Sequence, residues 1–459
     1  MSIEFDPDLI SKYDVNGPRY TSYPTANLFT DAFDPEDYRN ALRNLADQTD
    51  KPPVSLYVHV PFCATICYYC ACNKIVTNNR KHAAAYLPRL LEEMALASAL
   101  VPASHQVEQL HFGGGTPTYF SNDQLGTVFD ALTQHFNLRP DDDRDFSIEI
   151  DPRTVDESRI AFLAGLGINR MSLGIQDFDP AVQKAVNRIQ SEEDTAAVMN
   201  AARDNGVNSL SVDLIYGLPL QTPRGFARTL ARVIGLGPDR VSLYSYAHLP
   251  ARFKTQRQIN AEDLPDAASK LQLMQLATEL LDEAGYAYIG MDHFAKPDDT
   301  LVRARHDGTL HRNFQGYTTH GHCDLIGLGV SAISSARGVY AQNAKTLEDY
   351  YRHIDEGRLA IDRGLVLSDD DSIIREVIGQ LMCYFELDLG DLADRHGGHL
   401  HRQFAPAVAA LDPLIADGLV TVDGDVIRVT PKGRFLIRNV CMTFDAYLQQ
   451  QPVGFSRAI

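Results

Sequence analysis

The chain has 459 residues, of which 44% are hydrophobic and 22% are charged, close to an ordinary globular protein. Sixty acidic residues against 42 basic ones give a net charge of −18, and such a surface repels the phosphates of nucleic acid. No apolar run reaches about 18 residues, and the acidic N-terminus lacks a signal peptide's apolar core, so we expect neither a membrane span nor secretion. A cytoplasmic protein is therefore expected, with its thiols kept reduced.

The first 50 residues contain the segment GPRYTSYPT at 17–25, whose prolines prevent a regular helix. From residue 55, six short strand-like runs alternate with longer stretches of helical period. The strand-like runs cover 55–62, 107–115, 145–152, 170–178, 209–219 and 240–249, and the helix-like stretches lie near 82–100, 122–136, 154–166, 190–205, 223–235 and 266–285. This alternation predicts an α/β fold with a parallel sheet, either open or partly closed into a barrel.

Polar and unusual residues are concentrated where the predicted strands end, in PFC, GGGTP, EIDP, QDF, DLIYGLP and YAHLP. In both open sheets and barrels of parallel strands, ligands bind beyond the C-terminal strand ends. We therefore expect the functional site at this edge of the sheet.

The C-terminal part of the chain has a different pattern. Asp-Gly between alternating apolar runs at 419–430 predicts a β-hairpin, which together with flanking helices suggests a winged-helix shape. The acidic composition favours an internal or protein-facing role for it over DNA binding. We predict three segments: an N-terminal extension (1–50) that covers the active site, a catalytic barrel with its extension (51–360), and a mainly helical domain with a hairpin (361–459).

The cysteines are clustered. Four of the seven lie within ten positions, which in a reducing compartment indicates metal or redox chemistry. Three thiolates spaced C-x3-C-x2-C in one loop would hold three irons of an iron–sulfur cluster and leave the fourth open. The alternative is a tetrahedral zinc site with the fourth cysteine, although zinc loops prefer separated C-x2-C pairs. The clustered residues are Cys63, Cys67, Cys70 and Cys72; the isolated Cys323, Cys383 and Cys441 are expected to be small buried side chains.

Other candidate functional residues can also be explained by a purely structural role. The glycines at 113–115 let a backbone approach a ligand closely, but alone they more often form a tight turn. Glu149, at the end of the third strand, could accept both hydroxyls of a ribose. The structural alternatives are a helix cap or a salt bridge with a basic side chain. The clustered His396, His399 and His401 could bind a metal, although a solvated loop is the favoured interpretation.

The cysteine spacing after a first barrel strand resembles that of the radical S-adenosylmethionine (SAM) enzymes. The segments HVPFC, HFGGGTPTY, SIEIDPR, GIQDF, DLIYGLP and LHRNFQGYTT, the CxC at 70–72 and the N-terminal GPRYTSYPT resemble the family of oxygen-independent coproporphyrinogen III oxidases. This resemblance extends from about residue 10 to 459. Tyr69 stands where the family usually has Phe, and Ala71 where it usually has Gly; neither change removes a cluster ligand.

The resemblance implies a partial (β/α)6 barrel in which Cys63, Cys67 and Cys70 bind a 4Fe–4S cluster. Cys72 matches a position that is not a ligand, and packing and a catalytic thiol are equally open for it. The residues implied to contact a first SAM are Tyr57, Gly114, Glu149 and Ile333, and Tyr69 is implied to contact the cofactor. Those implied to contact a second SAM are Gly115, Thr116, Gln176, Arg188, Asp213 and Ala247.

The activity implied by the resemblance is the oxygen-independent conversion of coproporphyrinogen III to protoporphyrinogen IX in haem biosynthesis. SAM is cleaved to a 5′-deoxyadenosyl radical, which takes hydrogen from a propionate; loss of CO2 and one electron leaves a vinyl group, and this happens twice. Propionates call for arginine, and the candidates are Arg19, Arg153 and Arg312. A reductant protein, an electron acceptor and a monomeric state are also expected. The alternatives are a haem chaperone of the same superfamily, which usually lacks GPRYTSYPT and the last cysteine, and a radical enzyme that modifies haem.

Overall fold

The computed structural model describes residues 3–45, 51–448 and 455. The helices are α1 (Pro7–Tyr13), α2 (Pro35–Arg43), α3 (Lys81–Ser98), α4 (Asn122–His135), α5 (Glu157–Gly165), α6 (Pro180–Ala185), α7 (Glu192–Asp204), α8 (Pro223–Leu236), α9 (Ala267–Glu283), α10 (Thr300–His306), α11 (Leu347–Asp355), α12 (Asp369–Tyr384), α13 (Leu389–His396), α14 (Leu400–Ala409), α15 (Asp412–Ala416) and α16 (Ile437–Phe444). The strands are β1 (Val54–Val60), β2 (Phe62–Cys63), β3 (Ile75–Val76), β4 (Gln106–Gly114), β5 (Asn137–Leu138), β6 (Asp145–Ile150), β7 (Arg170–Gln176), β8 (Ser209–Tyr216), β9 (Arg240–Ser245), β10 (Ala287–Gly290), β11 (His293–Ala295), β12 (His311–Asn313), β13 (Gly316–Thr318), β14 (Asp324–Leu328), β15 (Ile333–Ala336), β16 (Val339–Asn343), β17 (Ile361–Val366), β18 (Glu386–Asp388), β19 (Val420–Asp423) and β20 (Val426–Val429). Short 3₁₀ turns cover Ala26–Leu28, Pro117–Tyr119, Pro152–Thr154, Lys254–Gln258, Ala261–Asp263 and Gly433–Leu436.

The chain divides into two compact units. The first, here called the barrel unit, contains Phe29–Leu273 and His322–Val366. The second, here called the C-terminal unit, contains Met1–Leu28, Met274–Gly321 and Leu367–Ile459. Whether 1–50, 51–360 and 361–459 are folding domains stays a prediction. No helix in the described part of the chain is long and apolar enough to cross a bilayer.

The barrel unit has the α/β architecture that the sequence predicts. The six expected strands are β1, β4, β6, β7, β8 and β9, each paired in parallel with the next. The six expected helical stretches are formed as α3, α4, α5, α7, α8 and α9. The described strands follow one another along an open path, so the sheet is a partial barrel and the predicted fold class is confirmed.

A further parallel strand, β14, was missed by the sequence analysis. It pairs with β1 on the side away from β4, and β15, β16 and β17 continue the sheet in antiparallel pairs. Glycines obscure its periodicity: a Cβ at Gly327 would lie 2.6 Å from the carbonyl oxygen of Ile333, so this position accepts no side chain. β1 therefore lies inside the sheet rather than at its edge.

Alternation along the strands creates one polar face in the barrel unit. On β7, Met171, Leu173 and Ile175 are buried, whereas Ser172 and Gln176 on the opposite face are only half-buried. β6 and β8 follow the same rule, because successive side chains of a strand point to opposite faces. Among the predicted ligand-binding residues, Tyr57, Glu149 and Asp213 are half-buried positions of β1, β6 and β8.

The C-terminal unit contains the expected hairpin. β19 and β20 are antiparallel, with Val420 opposite Val429, and β18 extends the pair to three strands. Asp423 pairs with Val426, so the turn residues are Gly424 and Asp425, and Gly424 has φ of +60°, a conformation that glycine adopts without strain. α12 packs against α16. Cys383 and Cys441 are buried in this unit, as expected, whereas Cys323 in the barrel unit is only half-buried.

A buried carboxylate joins α3 to the strands beyond β1. Glu93 is 1% exposed, and its oxygens accept hydrogen bonds from the Gly329 amide (2.6 Å), the Asn343 side-chain amide (2.6 Å) and the Tyr350 hydroxyl (2.7 Å). Burial raises the pKa of Glu93 to about 7. All three donors lie more than 200 positions after Glu93, so this carboxyl links α3 to α11 and to the strands beyond β1.

Replacing Glu93 tests how much its carboxyl contributes to the free energy of unfolding. Glu93→Ala leaves three buried donors without an acceptor, and we expect the free energy of unfolding to fall by about 3–5 kcal/mol. Glu92→Ala, an exposed neighbour on the same helix, should change it by no more than about 0.5 kcal/mol. Urea denaturation at pH 7.5 measures both, and equal effects of the two substitutions would contradict this account.

Candidate active site

The cysteine loop begins at the end of the central strand. β2 and β3 pair in parallel, with Cys63 opposite Val76, and so close the loop at its base. The Cys70 amide donates to the carbonyl of Cys67 (3.3 Å), which turns the chain between these two cysteines. Cys63 and Cys67 are buried, Cys70 is half-buried and Cys72 is exposed. The three predicted ligands are thus held by a short, internally bonded loop.

Hydrogen-bond donors face the sulfur atoms of this loop. Arg188 Nη1 and Arg153 Nη2 lie 3.5 and 3.6 Å from Cys67 Sγ, and Thr116 Oγ1 lies 3.5 Å from Cys63 Sγ. A hydrogen bond from the Cys72 thiol lowers the pKa of Cys70 to about 6. Cationic donors favour the thiolate, which is the form that binds iron. The donors fit a cluster with negatively charged ligands.

The spacing of the sulfur atoms distinguishes a cluster from a single zinc ion. Among the described residues, a group of three elsewhere in the barrel unit brings its ligand atoms within 4.8 Å of one another, and this group includes none of the loop cysteines. In a 4Fe–4S cluster each thiolate binds a different iron, which sets the sulfurs farther apart. Cys63, Cys67 and Cys70 therefore fit the cluster better than zinc.

Asp151 organises the two arginines at the loop and was missed by the sequence analysis. Its Oδ2 accepts from Arg153 Nη2 (2.6 Å) and Arg188 Nη1 (3.2 Å). Burial alone would raise the pKa of Asp151, but these two guanidinium groups hold it below its usual value. The motif EIDPR at the end of β6 carried a signal for it, since a carboxylate directly after a strand stands at the ligand edge.

The glycine segment after β4 packs closely beneath the loop. Gly114 has φ of +113° and its amide donates to Glu149 Oε2 (3.2 Å). A Cβ at Gly115 would lie 2.7 Å from the backbone of Pro61. These contacts require glycine, so the segment is more than a simple turn. They leave the backbone of Gly114 and Gly115 beside the cysteine loop.

Glu149 stands at the centre of a polar group on the sheet. His111 Nε2 lies 3.4 Å from Glu149 Oε1, and the Tyr57 ring stacks on His111 with centroids 5.8 Å apart. The Tyr57 hydroxyl bonds to Nδ1 of His59 (2.9 Å). The Glu149 side chain is 45% exposed, so its carboxylate can still accept the two hydroxyls of a ribose.

Gly174 brings three of the predicted residues together. A Cβ there would lie 2.8 Å from Gln176 Nε2 and 2.9 Å from Arg188 Nη2, so both side chains rest against its backbone. Asp213 is its partner on β8. Gln176 has φ of +67°, and its Oε1 is buried without a hydrogen-bond partner in the described structure. Burial and the charge of Glu149 raise the pKa of Asp213 to about 7.

The remaining predicted residues reach the same edge through the backbone. Gln256 Nε2 donates to the carbonyls of Tyr69 and Ala247, both at 3.1 Å, and so joins the cysteine loop to the segment after β9. The Ile333 carbonyl packs on Gly327, which pairs with Tyr57. Contacts of the barrel unit thus gather the predicted residues at one edge, whereas their roles in binding stay predictions. His396 and His401 instead pair separately, with Glu376 and Asp425.

The raised pKa of Asp213 predicts how the stability of the folded protein depends on pH. An aspartate that titrates near 4 when unfolded and near 7 when folded lowers stability as pH rises between these values. Asp213→Asn removes this loss, so it should raise the thermal midpoint of the ligand-free protein at pH 8 and have little effect at pH 4.5. Asp130→Asn, an exposed control, should change neither; a variant less stable than wild type at pH 8 would contradict the burial argument.

Family models match two parts of the chain: "Radical SAM superfamily" over residues 57–233 and "HemN C-terminal domain" over residues 367–436. Among relatives, the oxygen-independent coproporphyrinogen III oxidase of Pseudomonas aeruginosa is 53% identical over 100% of this chain and 99% of its own length. The protein of the same name from Escherichia coli K12 is 48% identical with the same coverage. A solved structure, described as coproporphyrinogen III oxidase (HemN) from Escherichia coli, a radical SAM enzyme, matches with a TM-score of 0.92 and 46% identity over 97% of this chain and 100% of that one.

Proposed function

The chain belongs to the family of oxygen-independent coproporphyrinogen III oxidases and is a radical SAM enzyme, and from this premise we propose how its own residues carry the reaction. The activity is the oxidative decarboxylation of two propionates of coproporphyrinogen III to vinyl groups. The observation that carries this assignment is similarity over the full length of the relatives, combined with a cysteine loop whose donor set fits a cluster. The haem-chaperone alternative is not favoured, because these relatives are named as oxidases.

Cys63, Cys67 and Cys70 would hold the 4Fe–4S cluster, and Cys72 would not. With SAM bound, the cluster would supply the radical chemistry that removes a hydrogen atom from the β-carbon of a propionate. Arg188 and Arg153 then balance the negative charge of the thiolates from outside, held in place by Asp151. Because Arg188 is buried, it keeps water away from that side of the loop.

SAM requires a contact for its amino acid part and one for its ribose. The backbone of Gly114 lies beside the cysteine loop, and the Glu149 carboxylate next to it would accept the ribose hydroxyls, with Tyr57, Tyr69 and Ile333 completing the first site. We assign a second SAM to Gly115, Thr116, Gln176, Arg188, Asp213 and Ala247. The partnerless Oε1 of Gln176 supports this second site, because a buried acceptor without a donor is costly unless a ligand supplies one.

Among the arginine candidates, Arg312 is the best suited to a propionate. Arg19 is engaged in an ion pair with Asp292, and Arg153 in one with Asp151. Arg312 lies over the Tyr317 ring (4.8 Å), and its Nε and Nη1 are buried without acceptors in the described structure. Gln315 Nε2, in the turn between β12 and β13, is also buried without an acceptor in the described structure. Two unsatisfied donors on one hairpin match the two oxygens of a carboxylate.

The overall change at each propionate balances simply. Hydrogen-atom removal from the β-carbon is followed by loss of CO2 and of one electron, which leaves a vinyl group. The electron needs an acceptor and the start of each turnover needs a reductant, and we propose protein partners for these roles. Cys72, exposed at the end of the loop, is proposed as a catalytic thiol. We also propose a monomeric, cytoplasmic enzyme, since thiols stay reduced there.

Product analysis tests the function directly. Reconstituted protein with SAM, a reductant and coproporphyrinogen III, incubated without oxygen, should give a tetrapyrrole lighter by two CO2 and four hydrogens, with its ring intact. Mass spectrometry measures this. SAM cleavage without any decarboxylation would overturn the substrate assignment, and tight haem binding without turnover would favour the chaperone.

The cluster assignment predicts a sharp difference between two cysteines. Cys70→Ser should lower both the iron content after reconstitution and the turnover at least 100-fold, because a ligand is lost. Cys441→Ser makes the same chemical change in the C-terminal unit and should keep both near the wild-type level. Iron analysis and turnover assays compare them, and full turnover by Cys70→Ser would refute the assignment.

The assignment of Arg312 to the substrate site predicts that its replacement affects substrate binding and leaves SAM cleavage unchanged. Arg312→Gln removes a bidentate charge from a carboxylate site, so the KM for coproporphyrinogen III should rise about tenfold or more. SAM cleavage in the absence of the tetrapyrrole should stay unchanged. Arg375→Gln, an exposed arginine of the same unit, is the matched control; equal KM values for all three proteins would remove Arg312 from the substrate site.

A further inference from the structure

Three side chains of different chemistry converge in the barrel unit away from the cysteine loop. Glu108, His322 and Cys323 each place a ligand atom within 4.8 Å of the other two. His322 Nε2 lies 3.1 Å from Glu108 Oε2. Glu108 and Cys323 are half-buried and His322 is exposed, so an ion could enter from solvent.

The fold brings these residues together across the central strand. β4 and β14 both run parallel to β1 and flank it, and Val54 at the start of β1 pairs with Val107 and with Asp324. Glu108 lies near the start of β4, and His322 and Cys323 directly precede β14. This group is therefore at the N-terminal edge of the sheet, whereas the cysteine loop follows the C-terminal end of β1.

The surrounding charge favours a cation. The carboxylates of Glu108, Asp324 and Asp145 all act electrostatically on the Cys323 thiol. Arg139 contacts Glu108 (3.3 Å) but is itself shared with two further carboxylates, of Asp141 and Asp143. Asp145 is paired with Arg170 (3.2 Å). The guanidinium groups thus compensate part of the negative charge.

We propose that Glu108, His322 and Cys323 form a zinc site. Thiolate, imidazole and carboxylate together are ligands typical of Zn²⁺, which takes three protein ligands and a water in tetrahedral sites. Binding releases the thiol proton of Cys323 to solvent and needs no redox partner. The ion joins the start of β4 to the start of β14 across β1, so its role is to stabilise the sheet that carries the cysteine loop.

The test uses the enzyme with its cluster assembled, at four irons per chain, so that Cys63, Cys67 and Cys70 are occupied. Zn²⁺ alone is added, unbound metal is removed, and bound zinc is counted by elemental analysis. We expect about one equivalent in the wild type and a rise in the thermal midpoint with zinc. Cys323→Ser and His322→Ala should each weaken zinc binding at least tenfold. His396→Ala, which removes an exposed His–Glu pair in the C-terminal unit, should not.

Zinc-edge X-ray absorption of the wild type gives a second, independent readout. One sulfur neighbour at a Zn–S distance of about 2.3 Å, together with two or three nitrogen or oxygen neighbours, would support the site. Three sulfur neighbours would show zinc in the cysteine loop instead and would overturn the proposal. Equal zinc binding by wild type and Cys323→Ser, both shown to be folded by circular dichroism, would overturn it as well.

Discussion

In the site that we propose, a single loop presents three thiolates to a cluster and leaves one iron open, and this is the constraint on which the surrounding structure depends. A short loop can do so only if its base is rigid, and here β1 is held between β4 and β14 before the chain enters the loop. Three thiolates also concentrate negative charge, which Arg153 and Arg188 offset through contacts with Cys67. Asp151 keeps both guanidinium groups in place, so the charge balance is built into the ends of the strands.

The parallel sheet explains why so many polar groups can meet at this loop. All strands from β1 to β9 in the sheet end at the same edge, and alternation leaves one face of each strand for polar side chains. Glu149, Gln176 and Asp213 come from three different strands, yet lie on one face. The burial of Asp213 has a cost that shows in its raised pKa. Such a cost is expected where a site is organised for ligands rather than for stability.

Much of this arrangement could be predicted from the sequence, for identifiable reasons. The six strands and six helices alternate with regular periods, and Asp-Gly marks the hairpin. β14 was missed because Gly327 and Gly329 interrupt its apolar pattern, and their purpose is visible only from contacts with distant segments. The pairing of Asp151 with Arg188 also could not be predicted, because 37 positions separate the two residues and Arg188 lies in the segment between α6 and α7 rather than on a strand.

The two departures from the family pattern are compatible with the same loop. Ala71 is exposed and does not take the left-handed conformation that would require glycine. The Tyr69 carbonyl is held by Gln256, while its ring packs beside buried residues that include Val182 and Tyr246. The loop backbone thus accommodates both residues: Ala71 needs no glycine conformation, and the side chain of Tyr69 has a packing site.

The most direct measurement of the central claim is electron–nuclear double resonance on the reduced, cluster-loaded protein with SAM labelled with ¹⁵N at its amino group. If three cysteines leave one iron open, the spectrum should show strong coupling between the cluster and the labelled nitrogen. A reduced cluster that shows no coupling to bound SAM would mean that all four irons are already ligated by the protein, and would contradict the account.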